Sequence, residues 1–563
     1  MAKSVRESVM RDLDEVQDRV VRLLIHHFLF AVIGAAGIVI HHPAIGQTHV
    51  WQRWEHSLTS AKDYPNPFAD VRLEVIYSGP NGQTLRAPGF WDGGKTFRIR
   101  CAFPTPGLWN WRTACSDTEN AGLHQRAGTV RVRAYSGRNP LYRRGFLKVS
   151  ANRRHLAYHD GTPFLWMGDT AWGGPLRASL SDWKEYLDDR VRKGFTVIQV
   201  GLAPDWAGDR DANGNKPFLG DGLRQWNPAF WQAYEQKIQA ANEKGLVVLV
   251  VGLMEPTTRY PRAEEAALFA RQLVGRLYGN FVIFSPSFDS GYMQLGNLVG
   301  RAVREATAVH LITQHPGTPS GQPGNTIAES YFDQPYLDFS GNQSGHNDGN
   351  RERCARQAIV WNLRLYQRQP VKPVINLEAM YDGQGENGWT ADDARSLAYR
   401  SWLSGAMGYT YGAGEMESKR PGGSGGLYFW VTDESRFDHW RKAMRWESST
   451  QMKYLRDLLS AIPWWRLEPA HEWIVQQPEP WTGRRVLART PEGDTAVIYV
   501  PDSAPVTVNL SRMKAPLRVR WLNPRTGQTI ESERLAQISG PVTLTPPGRG
   551  DWALLITAIP ARR

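Results

Sequence analysis

Two acidic side chains stand where buried apolar strands would deliver them. Asn280-Phe281-Val282-Ile283-Phe284-Ser285-Pro286-Ser287-Phe288 runs into Asp289, and Pro373-Val374-Ile375-Asn376-Leu377 runs into Glu378, with Ala379, Met380 and Tyr381 following. An apolar, β-branched run that stops at a carboxylate has the form of a buried parallel strand presenting a group at its C-terminal end. Two carboxyl groups facing one another suit the cleavage of a glycosidic bond. One protonates the leaving oxygen while the other attacks the anomeric carbon or activates water. Asp289 is read as the acid/base and Glu378 as the nucleophile of a retaining reaction. The two positions are 89 residues apart, three β-α-β steps of about 30 residues each.

Those steps require a scaffold, and the chain spells one out. From about Gly145 to Pro463 there are eight short apolar stretches: 164–167, 196–200, 246–251, 281–284, 309–312, 337–339, 374–377 and 409–411. Helix-like segments such as Ser181–Leu187 and Pro228–Tyr234 lie between them. Eightfold strand–helix alternation predicts a (β/α)8 TIM barrel, with Asp289 after the fourth strand and Glu378 on the seventh, across the mouth from one another. On both sides the pattern changes to period-two alternation broken by turn signals, which predicts a β-sandwich before the barrel and another after it. The expected division is 1–46 signal peptide or N-terminal anchor, 47–137 first sandwich, 138–463 barrel and 464–563 second sandwich. Cys101 and Cys115 are placed in one hairpin turning near Pro106-Gly107, out of register with each other, so no disulfide is expected.

Polar residues just past the predicted strand ends fill in the site. Asp169 and Trp172 follow the first strand, Trp206 the second, His315 the fifth, and Gln343 and His346 the sixth. Asn376 and Tyr381 flank Glu378, and Tyr411 ends the eighth. All are read as sugar-contacting, with Tyr381 also orienting the Glu378 carboxylate. Each has a plainer role too: Asp169 could cap the next helix, Trp172 and Trp206 could be packing, and the histidines could sit in the core or on the rim. The histidine spacing fits no metal motif, and no cofactor fingerprint has a supporting context, so neither metal nor cofactor is expected.

Composition narrows the class. The 563 residues are 41% hydrophobic and 22% charged, ordinary for globular protein, which excludes wholesale disorder. The net charge of +12 comes from scattered Lys and Arg, without the basic run of a nucleic-acid arm. Lys3, Arg6, Arg11, Arg19 and Arg22 precede the apolar run Phe28–Ile40, and Ala44-Ile45-Gly46 offers small residues for cleavage. That run is short for a membrane span and reads first as an export signal, second as an uncleaved anchor, for a secreted or periplasmic monomer. Two other classes compete. A non-catalytic carbohydrate- or matrix-binding surface protein would have no need of both acids. A carbohydrate esterase would need a strand-end Ser–His pair. Gly422-Gly423-Ser424-Gly425-Gly426 matches an esterase elbow in letters only, because no strand precedes it.

The order of motifs carries a resemblance. Gly168-Asp169-Thr170-Ala171-Trp172, Asp289, Gln343-Ser344-Gly345-His346, Leu377-Glu378 and Gly405-Ala406-Met407-Gly408-Tyr409-Thr410-Tyr411-Gly412 resemble the apiosidase-like family of bacterial glycoside hydrolases. Its usual flanking partners are similar to the two ends of this chain: a domain of unknown function before, around Gly89-Phe90-Trp91-Asp92-Gly93, and a domain named for collagen binding after. The resemblance implies a barrel enzyme acting on oligo- or polysaccharides of plants or microbes, its acid pair falling on Asp289 and Glu378. Members usually show Gly-Gly before the strand-four acid, where this chain has Ser287-Phe288, so apiose specificity does not carry over.

Overall fold

The computed structural model describes residues 46–202, 210–220, 225–252, 263–289, 293–317, 328–344, 350–384, 388–414, 426–538 and 540–560. The N-terminal segment up to residue 45, Trp206, His346 and residues 422–425 of the glycine-rich loop lie outside these. Among the described residues, no helix is long and apolar enough to cross a membrane.

Seven strands form one curled, all-parallel sheet: β1 (Trp166–Thr170), β2 (Val197–Gly201), β3 (Val247–Val251), β4 (Val282–Ser285), β5 (Ser340–Ser344), β6 (Val374–Ala379) and β7 (Gly408–Tyr411), in the order β4-β3-β2-β1-β7-β6-β5. Helices alternate with them: α1 (Leu180–Arg192), α2 (Pro228–Glu243), α3 (Ala263–Leu277), α4 (Met293–Ala306), α5 (Arg351–Gln367), α6 (Ala391–Leu403) and α7 (Glu447–Ser460). Short polar residues start them. Ser179 accepts from Asp182 N, Asn227 from Ala229 N and Asn350 from Arg353 N, while Thr390 and Asp393 form a capping box.

The strands are buried on both faces, which is why they read as unbroken apolar runs. Alternation then sorts the side chains. Val197, Val247, Leu249, Val251, Ile283, Ile375 and Leu377 fill the inside of the curl. Ile198, Val200, Val248, Val250 and Val282 lie outside it, in the core shared with the helices. This arrangement is a TIM-type core.

The strand count differs from the expectation of eight. Residues 309–312 form no ladder of their own; the fifth stretch is joined to the fourth only by single parallel bridges, Phe284 with Ile312 and Phe288 with His315. Side chains take over some of its bonds. Asp338 accepts from Ile312 N at 2.7 Å and Ser285 Oγ accepts from His315 N at 2.9 Å, so the backbone pairing that defines a strand is partly replaced. The sixth strand also begins at Ser340, beyond the expected 337–339.

The N-terminal part has two facing sheets, of five and three strands, sharing a core that includes Trp54, Tyr77, Ile99, Trp109 and Trp111. The predicted Cys101–Cys115 hairpin is not there. Thr96–Ala102 pairs with Arg53–Thr59 in one sheet, and Gly107–Cys115 pairs with Leu73–Ser78 in the other. The Pro104–Pro106 segment therefore crosses between layers. Both cysteines are free and buried. The C-terminal part is a six-stranded sheet with a two-stranded one, around Ile498, Val508, Val519, Trp521 and Ile556.

Buried ion pairs fasten both flanks to the core. Arg100 of the N-terminal part grips Glu235 of α2 through two bonds of 2.7 Å. Arg276 of α3 meets Glu235 at 2.9 Å and Asp92 at 2.8 Å. On the other side Arg395 of α6 makes two 2.8 Å bonds to Asp551. Burial alone would raise the Glu235 pKa, but Arg100 and Arg276 outweigh it and bring it down to about 2, from 4.5. A carboxylate with a depressed folded-state pKa contributes stability that is full above its unfolded value and is lost as pH falls through the folded one. The N-terminal junction should therefore weaken between about pH 4.5 and 2, by on the order of 3 kcal/mol. In acid unfolding followed by circular dichroism, Glu235→Gln should start less stable at pH 7 and lose less stability across that window; equal slopes would contradict this.

Candidate active site

Glu378 ought to face the wrong way. On β6, Ile375 and Leu377 point into the curl, so strict alternation would turn Glu378 outward. The register with β5 slips at this point: Asn376 pairs with Asn342, but Glu378 pairs with Gln343, so two residues of β6 answer one of β5. This bulge re-aims Glu378 inward, a use of bulges common beside active sites. Asn376 holds the bulge from the outer side. In the amide orientation that satisfies every partner, its oxygen accepts from Ser344 and Ser401 Oγ at 2.7 and 2.8 Å. Its nitrogen then donates to the Asn342 and Glu378 carbonyls at 3.2 and 3.1 Å.

Asp289 reaches the same place by a different device. Its φ of 40° is left-handed, a conformation Asp tolerates better than most residues. The loop beneath is pinned: Ser285 Oγ donates to the Ser287 carbonyl at 2.7 Å, Ser287 N donates to Gln314 Oε1 at 3.1 Å, and Asp289 N donates to the His315 carbonyl at 3.1 Å. Gly317 completes the fit, since a Cβ there would lie 2.8 Å from the Asp289 carbonyl oxygen.

Between the two acids lies a connected polar set. Gln343 Nε2 donates to Asp289 Oδ1 at 3.2 Å and to Glu378 Oε2 at 2.5 Å. The Tyr381 hydroxyl donates to Glu378 Oε1. His315 Nδ1 lies 3.6 Å from Asp289 Oδ1, and its Nε2 lies 3.4 Å from Glu378 Oε2. One ligating atom from each of Asp289, His315 and Glu378 falls within 4.8 Å of the others. The imidazole presents a different nitrogen to each acid, and the Gln343 amide donates to both. Asp289 is the open member, its side chain 35% exposed, against 1% for Glu378 and 0% for His315. Burial by itself would lower the His315 pKa; the neighbouring Asp289 and Glu378 carboxylates outweigh it and hold the imidazole above its ordinary value.

Several expected sugar contacts lie elsewhere, for one physical reason. Asp169, Asn376 and Tyr411 occupy outward positions of their strands. Asp169 is fully buried under α1, accepting from Tyr186 OH at 2.6 Å and lying 3.2 Å from Arg190 Nε. Tyr411 bonds Ser448 Oγ at 2.6 Å, and that hydroxyl in turn donates to Asp382. Trp172 does lie beside the site, but as a buried wall rather than an open platform, edge-on to Phe288 and His315 with ring centroids at 4.8 and 5.2 Å. His315 and Gln343 are likewise buried; Gln343 donates to both acids, and the His315 ring nitrogens lie 3.6 and 3.4 Å from them. Gln199 is a member that sequence reasoning missed. It projects inward from β2 and contacts His315 Nε2 at 3.3 Å and the Leu377 carbonyl at 3.2 Å. Counting two residues from the inward Val197 would have found it.

Gly412 determines where Tyr381 stands. An added Cβ would sit 2.0 Å from Tyr381 Cδ1, so Gly412→Ala must push the ring away from Glu378. A crystal structure of that variant should show the tyrosine–carboxylate bond broken, with stability lower by about 1–3 kcal/mol. An unmoved ring would refute the constraint.

Three families match the sequence. The apiosidase-like catalytic domain covers residues 150–466, the domain of unknown function DUF5060 covers 47–116, and the "Putative collagen-binding domain of a collagenase" covers 469–557. No curated protein matches the chain. Among solved structures, a "putative glycoside hydrolase" from Bacteroides vulgatus ATCC 8482 is similar at a TM-score of 0.68 and 18% identity, over 91% of this chain and 100% of the other. A glycoside hydrolase family 5 protein from the same organism is similar at 0.64 and 21%, over 75% and 95%. A third, named only a glycoside hydrolase, gives 0.64 and 23%, over 75% and 99%.

Proposed function

We propose, from the premise that the chain belongs to the apiosidase-like family, that it hydrolyses glycosidic bonds in plant or microbial oligo- or polysaccharides with retention of configuration. The observation that carries this reading is the acid pair: an oxygen of Asp289 and one of Glu378 lie no more than 4.8 Å apart, bridged by Gln343. Retaining enzymes hold their carboxyl groups about 5–5.5 Å apart, inverting ones about 6.5–9.5 Å. The parallel sheet and the bridges to residues 312 and 315 support a closed (β/α)8 barrel around the pair, whose strand ends are the usual place for catalytic groups.

In the reaction Asp289, the open member, protonates the leaving oxygen while Glu378 attacks the anomeric carbon. Asp289 then deprotonates the water that releases the sugar. Tyr381 and Gln343 donate to Glu378 and hold both of its oxygens in place before attack, so little reorganisation remains. The basic-then-apolar N-terminal 46 residues support export to a bacterial envelope.

The test is a panel of plant and bacterial oligosaccharides with product anomers read by proton NMR in the first turnovers. Retention is expected, and inversion would overturn the nucleophile assignment. Glu378→Gln should lower kcat/KM by about 10³-fold or more. Asp289→Asn should lose about 10²–10⁴-fold on natural glycans, but much less on aryl glycosides whose phenol leaves without a proton. A uniform loss across leaving groups would remove Asp289 from the acid role.

A further inference from the structure

The two-carboxylate scheme has no use for His315, yet its imidazole is fully buried between the two acids. It is 0% exposed, as closed off as Glu378 at 1%. The histidine is set with care all the same. Its main-chain N–H donates to Ser285 Oγ at 2.9 Å, and its carbonyl accepts from Asp289 N at 3.1 Å. Its ring is walled by Trp172 and Phe288, each with its centroid at 5.2 Å. The charged groups facing it are Asp289, from the loop after β4, at Nδ1, and Glu378, from β6, at Nε2. Gln199 from β2 and Gln343 from β5 complete the surroundings without charge.

We propose that His315 is a positioning residue that shares the reaction's proton with Asp289 and ties that proton to the charge on Glu378. The inference rests on the retaining reading for the use to which the proton is put. Before reaction the site must hold one proton for the leaving group. It can sit on Asp289 with His315 neutral, or on His315 Nδ1 with both acids ionised. The two forms have the same atoms and the same net charge and differ only in the place of one proton between Nδ1 and Oδ1, which lie 3.6 Å apart. On glycosylation the Asp289 proton goes to the leaving oxygen as its bond to the anomeric carbon breaks. A Glu378 oxygen bonds that carbon, and its negative charge is consumed in the ester. His315 then faces a single carboxylate, Asp289, ready to accept a proton from water. When the water oxygen bonds the anomeric carbon, the ester's electron pair returns to Glu378 and the first arrangement is restored. The imidazole thus reports to Asp289 whether Glu378 is free or esterified.

The test reads the ring directly and requires no substrate: histidine ring nitrogens of the full chain, isotopically labelled, followed by NMR against pH. His310 is the internal control, a fully buried histidine that desolvation holds down at about 4. The His315 midpoint should lie above the ordinary 6.5 in the native protein. It should fall by about one pH unit or more in both Glu378→Gln and Asp289→Asn, while His310 stays put. A native midpoint below 6.5, or one that neither substitution moves, overturns the proposal. The two readings fail separately. A coupled titration in a protein that cleaves no glycan would sink the glycosidase reading alone, and an uncoupled one in an active enzyme would sink only the role of His315.

Discussion

Glu378 reaches the interior because β6 slips one residue against β5. A strand has only two faces, and every other polar residue near its end must take the face that counting assigns to it. Without the slip, the carboxylate would stand beside Asn376 in the outer layer, and Gln343 and Tyr381 would lose their bonds to it. The bulge is held from several sides at once. The Asn376 amide grips the carbonyls of Asn342 and Glu378, while Gly341 lets the inner wall close over Leu377, a Cβ there falling 2.4 Å from Leu377 Cδ1. Local irregularity of this kind persists only where its surroundings over-determine it.

The set of residues around the acids works as one object. Burial makes each bond electrostatically stronger and each missing partner costlier. Losing Gln343 removes one donor from each carboxylate, and losing Tyr381 removes one from Glu378 Oε1. Asp289 differs because it hangs from a left-handed residue on a loop pinned to the incomplete fifth stretch. The pinning bonds come from Ser285, Gln314 and the His315 carbonyl. The same loss of regular pairing that interrupts the sheet therefore provides the anchor for its open acid. Ser287-Phe288 gives this loop bulk, and Phe288 lies against His315 and Trp172.

How much of this could be read in the chain follows from what each signal encodes. Asp289 and Glu378 are legible in the chain because each ends an apolar run and the spacing between the two matches whole β-α-β steps. The parallel core was legible because its strands are buried on both faces. Direction was harder. Asp169, Asn376 and Tyr411 were gathered by their nearness to strand ends, although their parity sends them to the helices; the same count applied to β2 would have exposed Gln199. The bulge had no signal at all, since it depends on which partner residue each backbone group meets. The crossing at Pro104–Pro106 was misread as a hairpin because a proline–glycine turn looks alike whether the next strand joins the same sheet or the opposite one.

The central claim is that Glu378, delivered by the bulge, bonds directly to the sugar. Peptide mass spectrometry of the Asp289→Asn variant, mixed briefly with an aryl glycoside of the sugar the native protein cleaves, whose phenol leaves without a proton, and then quenched in acid, tests it most directly. With the proton donor and base removed, release slows and the glycosyl–enzyme should accumulate. The account predicts one glycosyl mass on the peptide that carries Glu378. A glycosyl group on another residue would contradict it.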